Sequence, residues 1–205
     1  MTQHERIVAM LYSDPNCPFC YALGERLLLL GVEHEIEWRG VQHAPHLPIP
    51  RDERNARLNA EIGREVHFVG RLAPEVPIRT LRGKPNTGPA IRAIAAALHI
   101  DPALGHALKR RVYRSLWQSD ADISDEQVIA ACVRGVGLPE LHIGSDIDAL
   151  TKRWQQEWAE VGVNSVPLLV RRDGELLSGL VTTEQLAEFF DLTSSREIRS
   201  VVSRA

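Results

Sequence analysis

Residues 7–12, Ile-Val-Ala-Met-Leu-Tyr, form an unbroken apolar run, short enough for a strand buried on both faces. After a polar turn, Phe19, Ala22, Leu23, Leu27 and Leu30 recur at helical spacing, with Gly31 as the stop. Residues 33–39 then alternate strictly. His34, Ile36 and Trp38 are expected on a packed face and Glu33, Glu35 and Glu37 on a solvated one, as in a half-buried strand. Residues 41–50 hold three prolines and two histidines and read as loop.

From residue 52 to 161 the period becomes helical. A helix is expected over 52–66, followed by an irregular excursion over 70–86 with three prolines and two glycines. Thr87 opens a helix carrying Ile91, Ile94, Ala95 and Leu98, and Asp101 caps the next one, with Pro102 at its first position and Leu104, Leu108, Val112 and Leu116 recurring every fourth residue. Ser124 and Gln127 have capping-box spacing before Ile129, Cys132, Val133 and Val136, which makes Cys132 a core residue. Ser145 is expected to cap a last helix of this block, with Ile147, Leu150, Trp154, Trp158 and Val161 on one stripe. Strand character then returns over 162–170 and 175–179, joined by the hairpin signal Asp173-Gly174. Thr182 and Gln185 form a second capping box ahead of Leu186, Phe189 and Phe190, and the tail beyond Asp191 is expected to fray.

The order strand, helix, strand, helical block, hairpin, helix is that of an α/β protein. At 205 residues, with 44% hydrophobic and 25% charged positions, the composition is that of an average globular domain. Its 24 basic and 27 acidic residues leave a net charge of −3, which argues against a nucleic-acid partner bound through its phosphates. No apolar run reaches the roughly 18 residues of a membrane span. The start, MTQHERIVA, lacks a basic region followed by an apolar core, so no secretory signal is expected and a cytoplasmic location is. Three cysteines exclude a disulfide-framework fold.

Two of those cysteines, Cys17 and Cys20, have C-x-x-C spacing and join the end of the buried strand to the first turn of the helix. Pro18 suits that first turn, where a missing N–H costs nothing. Unpaired N–H groups at a helix start favour an anion, so a Cys17 thiolate is expected to form below the free thiol's pKa of about 8.5. Cys17 is then an exposed attacking sulfur and Cys20 a shielded resolving one. A structural zinc site would need about four ligands. Only Cys132 and the pair His43 and His46 remain to supply them, so no metal site is expected.

Together these segments resemble the DsbA family, whose thioredoxin-like fold carries an inserted all-helical domain. The resemblance spans about Ile7 to Phe190. It rests on the redox segment from Asp14 to Gly24 and on Gly162-Val-Asn-Ser-Val-Pro167, similar to the family's Gly-Val-x-x-Val-Pro signature, in which the proline is cis and packs beside the cysteines. Within the insertion, Lys84–Thr87 and Trp117–Asp125 resemble the cytoplasmic FrnE-like and 2-hydroxychromene-2-carboxylate isomerase branch. The resemblance implies a discontinuous core of residues 1–50 and 162–191, a helical insertion over 51–161 and a tail over 192–205. It also implies that Cys17 forms a mixed disulfide which Cys20 resolves, that Pro18 and Phe19 flank the pocket, and that Val166 and Pro167 shape a groove where the Val166 backbone pairs with an extended substrate. Phe19 stands where strongly oxidising relatives have a histidine, so a charge that would stabilise the thiolate is missing from the motif.

The function expected is that of a thiol–disulfide oxidoreductase acting on protein or small-molecule disulfides and thiols. It would bind no cofactor, would have glutathione as a candidate co-substrate, and would be a monomer or homodimer. The alternative is a glutathione-dependent isomerase or transferase of the kappa-like type, though such enzymes usually lack a cysteine at the first motif position. A redox-silent binding module is a third reading, since one fold hosts all three.

Overall fold

The apolar run at the start of the chain becomes an inner strand. β1 (Ala9–Ser13) lies parallel to β2 (Ile36–Gly40), with Leu11 opposite Trp38, and antiparallel to β3 (Leu168–Arg171), with Leu11 opposite Leu169. β4 (Leu176–Ser178) completes a sheet of order β2-β1-β3-β4. A strand flanked on both sides and covered on both faces has no use for alternation, which accounts for the unbroken apolar run. The computed structural model describes residues 7–192. The tail expected over 192–205 lies outside the described residues apart from Leu192.

α1 (Pro18–Leu29) connects β1 to β2, and the β3–β4 hairpin leads to α7 (Thr183–Phe189). Between β2 and β3 come α2 (Ala56–Leu72), α3 (Gly88–Ile100), α4 (Pro102–Ser119), α5 (Glu126–Gly135) and α6 (Ser145–Glu160). This is a thioredoxin-like α/β fold with helices inserted between its two halves. One apolar core runs from Leu11, Leu168 and Leu169 in the sheet through Leu23 and Leu27 of α1 to Leu108, Val112 and Leu116 of α4. α3 and α4 cross so closely that a Cβ at Gly105 would lie 2.6 Å from the Leu98 backbone.

Caps and turns follow their chemistry. Asp101 accepts from the Ala103 and Leu104 N–H groups, Thr182 and Gln185 form the reciprocal box of α7, and Gly174 turns the hairpin at φ 93°. Elsewhere the outcome differs from the pattern. The cap of α5 is Asp125, which accepts from the Gln127 N–H, while Ser124 donates its hydroxyl to Asp122. Ser145 is the first residue of α6, and no side chain caps that helix. α2 starts later and runs further than 52–66, because Asn55 caps it and Ile62, Val66 and Val69 carry the buried stripe. Glu33–Glu35 is a turn of 3₁₀ helix and the strand starts only at Ile36. The cause is Glu33, which does not face solvent but pairs at 2.8 Å with Lys109 and with Arg110 on α4, turning the backbone and leaving His34 exposed. Cys132 is buried with its sulfur 3.4 Å from Ser115 Oγ, as a core residue.

Candidate active site

The turn between β1 and α1 carries the C-x-x-C pair. Cys17 is the N-cap of α1, in extended conformation and with no side-chain capping bond, and Pro18 takes the first helical position without leaving a donor stranded. Asp14 closes the turn from its backbone. Its carbonyl accepts the Cys17 N–H at 3.0 Å, and its own N–H donates to Cys20 Sγ at 3.4 Å. Both cysteines are free thiols. Cys17 is only 6% exposed and Cys20 1%, so Cys17, expected to be an exposed sulfur from its position at a helix start, is instead enclosed.

The Val166–Pro167 bond is cis, and the loop it belongs to meets the cysteines directly: the Cys17 thiol donates to the Val166 carbonyl at 3.6 Å. Pro18 and Pro167 are buried, whereas Phe19 and Val166 are half-buried at the rim. Phe19 meets Phe68 of α2 edge to face, ring centroids 6.2 Å apart, and Phe68 is 49% exposed. Thus Cys17 meets Val166 from 149 positions along the chain, and Phe68 of α2 packs on Phe19, two residues beyond Cys17.

The two thiols are driven apart electrostatically. Burial pushes the Cys17 thiol up, but hydrogen bonds from the Cys20 thiol and N–H, with the positive charges of His43 and Lys84, outweigh it and bring Cys17 below the ordinary thiol range. At Cys20 burial is reinforced by the neighbouring Cys17 sulfur, and its thiol is held well above that range despite the Ser13 hydroxyl and the Asp14 N–H. Beneath Cys20, Ser13 Oγ and Tyr113 OH are 2.7 Å apart, beside a cavity of about 20 Å³ that Trp38 and Lys109 also line. Such a space is sized for a single water.

Several contributors were given no role by the sequence, although Asp14, Lys84 and Trp117 lie in the segments that carry the resemblance. Asp14 is a fully buried carboxylate paired with His43 at 2.7 Å, and Lys84 is buried within reach of Glu65. Trp117, at the end of α4, donates its indole N–H to the Pro15 carbonyl at 2.9 Å, and Asn16 donates to the Pro85 carbonyl at 2.8 Å. The available signal was a polar residue, Asp14, ending an apolar strand three positions before the first cysteine. Nothing in the local pattern named its partner in a separate loop. Among the described residues there is no cluster of side chains able to hold a metal ion, and no helix is long and apolar enough to cross a membrane.

The family model of the DSBA-like thioredoxin domain matches residues 9–191. Among solved structures, the cytosolic disulfide reductase DsbM from Pseudomonas aeruginosa is similar at 18% identity and a TM-score of 0.66, with 90% of this chain and 94% of that chain covered. A 2-hydroxychromene-2-carboxylate isomerase is similar at 18% identity and a TM-score of 0.60, over 97% of this chain and 100% of that one. A periplasmic thioredoxin-like protein from Salmonella enterica serovar Typhimurium is similar at 16% identity and a TM-score of 0.55, over 91% and 83%. At these identities the likenesses show a shared fold. No curated protein sequence matches the chain.

Proposed function

We propose that this chain, which belongs to the DSBA-like thioredoxin family, is a thiol–disulfide oxidoreductase working through Cys17 and Cys20. The observation that carries the reading is the asymmetry of the pair: a Cys17 thiol lowered at a helix start and 3.6 Å from the Val166 carbonyl, beside a Cys20 thiol pushed well up. The Cys17 thiolate attacks a substrate disulfide, breaking its S–S bond and releasing one substrate sulfur as a thiolate that takes up a proton. Cys20 then loses its proton and attacks Cys17, which forms the Cys17–Cys20 disulfide and frees the second substrate thiol. Two thiols of a small reductant such as glutathione return the pair to its reduced form, and the same steps in reverse oxidise a dithiol.

Val166 and Pro167 would present the backbone edge on which an extended segment lies, with Pro18 and Phe19 at its flank. The apolar rim of Phe19 and Phe68 favours a protein substrate over a small charged disulfide. A cytoplasmic setting fits a reductant drawn from the glutathione pool, and one structurally similar protein is described as a cytosolic disulfide reductase.

The test is a mixed-disulfide trap. Cys20→Ser incubated with a disulfide-bonded protein should accumulate a covalent adduct at Cys17 that dithiothreitol releases, and Cys17→Ala should form none and turn nothing over. Full activity in Cys17→Ala would end the reading. Glutathione-dependent isomerisation or conjugation surviving in Cys17→Ser would put the isomerase or transferase alternative in its place.

A further inference from the structure

The redox turn is built around a carboxylate that has no contact with water. Asp14 is 0% exposed, and its Oδ2 accepts both the backbone N–H of His43 at 2.9 Å and the Nδ1 of the same residue at 2.7 Å. Its other oxygen faces the Asn16 N–H at 3.3 Å. A carboxylate wholly removed from water persists only when paired and hydrogen-bonded, so Asp14 favours a protonated imidazole as its partner. The His43 side chain retains 29% exposure, so the pair reaches from the interior to the rim of the site.

Asp14 is also the residue whose backbone closes the turn on Cys17 and Cys20. The same residue therefore holds the Cys17 backbone, the Cys20 sulfur and the His43 ring, although His43 comes from the separate loop after β2. The charged and titratable groups acting on His43 are Asp14, Lys84 and Cys17. Lys84, from the loop before α3, is itself within reach of Glu65 at 3.6 Å. Meanwhile neither residue between the cysteines, Pro18 or Phe19, carries a charge.

We propose that His43, locked by Asp14, is the positioning residue of the redox pair: as an imidazolium it holds the Cys17 sulfur as a thiolate and makes it the better leaving group when a disulfide at Cys17 is broken. This rests on Cys17 being the attacking sulfur. The charge absent from the C-x-x-C spacer is in this way supplied from a second loop. When two thiols reduce the Cys17–Cys20 disulfide, that S–S bond breaks and the reductant's sulfurs join. One of the two thiol protons goes to Cys20, and the other is released to solvent because His43 already carries its proton, leaving the negative charge on Cys17. Coupling is reciprocal, so the Cys17 thiolate must hold the proton on His43 by the same factor as His43 holds the thiolate.

Two measurements on the full chain test this. In the first, His43→Asn keeps a side-chain N–H for Asp14 and removes the charge. The midpoint of thiolate absorbance against pH should rise by about one unit, and iodoacetamide labelling of Cys17 at pH 6 should slow about tenfold. In the second, the His43 imidazole is titrated by NMR in the reduced wild type and in Cys17→Ser, and its midpoint should fall by a similar amount in Cys17→Ser. A purely structural histidine would not respond to Cys17, and this second measurement decides if His43→Asn does not fold. Midpoints that agree within about 0.2 units in both comparisons, against the full unit expected, would overturn the proposal. Disulfide turnover with unlinked midpoints ends this inference alone. Linked midpoints in a chain that turns over no disulfide end the oxidoreductase reading and with it the leaving-group role, keeping only the linkage of His43 to the Cys17 thiolate.

Discussion

His106 on α4 gives the fold a calculable weakness to acid. Its imidazole is half-buried, and its Nδ1 has no hydrogen-bond partner. Burial, with the positive charges of Lys109, Arg110 and His34, pushes its pKa down to about 4, while Glu33 alone pulls the other way. In the unfolded chain the same imidazole titrates near its ordinary value of about 6.5. Between those values the unfolded state binds more protons, so stability is lost as pH falls from 7 toward 4. The full difference of about 2.5 units corresponds to about 3.4 kcal/mol below pH 4, and about 2 kcal/mol of it is already lost at pH 5. Glu33, whose carboxyl is held below the ordinary range after Lys109 and Arg110 overcome its burial, is ionised at pH 5 and above. His43 is shifted the other way: burial opposes its protonation, but the Asp14 bond and charge raise its pKa, so its stabilisation is present at low pH and lost as pH rises through that pKa. That contribution is common to wild type and variant and cancels in their difference. Urea unfolding at pH 7, 6 and 5 should show His106→Gln close to wild type at pH 7 and relatively more stable by about 2 kcal/mol at pH 5. Parallel pH profiles for the two proteins would refute the reasoning.

Phe68→Ala removes the exposed half of the aromatic rim. It should raise KM for a protein disulfide about fivefold, as expected for an aromatic contact worth about 1 kcal/mol, and leave turnover of a small disulfide unchanged. Trp117→Phe strands the Pro15 carbonyl and should cost about 1–3 kcal/mol in chemical denaturation, with slower labelling of Cys17 as the turn loosens. Gly105→Ala places a methyl against the Leu98 backbone and should destabilise by about 1–3 kcal/mol, read as a lower Tm with the thiolate midpoint of Cys17 unmoved.

Features that depend on near neighbours in the chain were legible in the sequence. The apolar run of β1, the Asp101 cap, the Thr182 box, the Asp173-Gly174 hairpin and the core placement of Cys132 all follow from spacing alone. So does the position of the C-x-x-C pair between a strand and a helix. What could not be read depends on partners far away along the chain. Glu33 looked solvated because its alternation with Ile36 and Trp38 is a local signal, while Lys109 and Arg110 approach from α4. In the sequence His43 stood out only as a partner of His46 in a weighed and rejected metal site, and only the packing of its proline-rich loop against the turn joins it to Asp14. The enclosure of Cys17 is likewise tertiary, since the Val166 carbonyl comes from the other half of the core.

The anchoring of Pro15 and Asn16 bears on how portable this redox motif is. The indole N–H of Trp117 and the Pro85 carbonyl both come from the stretch between β2 and β3, so that stretch acts as scaffolding for the turn and not as a detachable lid over it. A trimmed chain keeping only the four strands with α1 and α7 would retain the helix start and both cysteines, yet leave the turn unbraced on that side. Transplanting the Cys17–Cys20 segment into another thioredoxin-like frame would require carrying over an equivalent of Trp117, a residue a hundred positions away from the sulfurs it steadies.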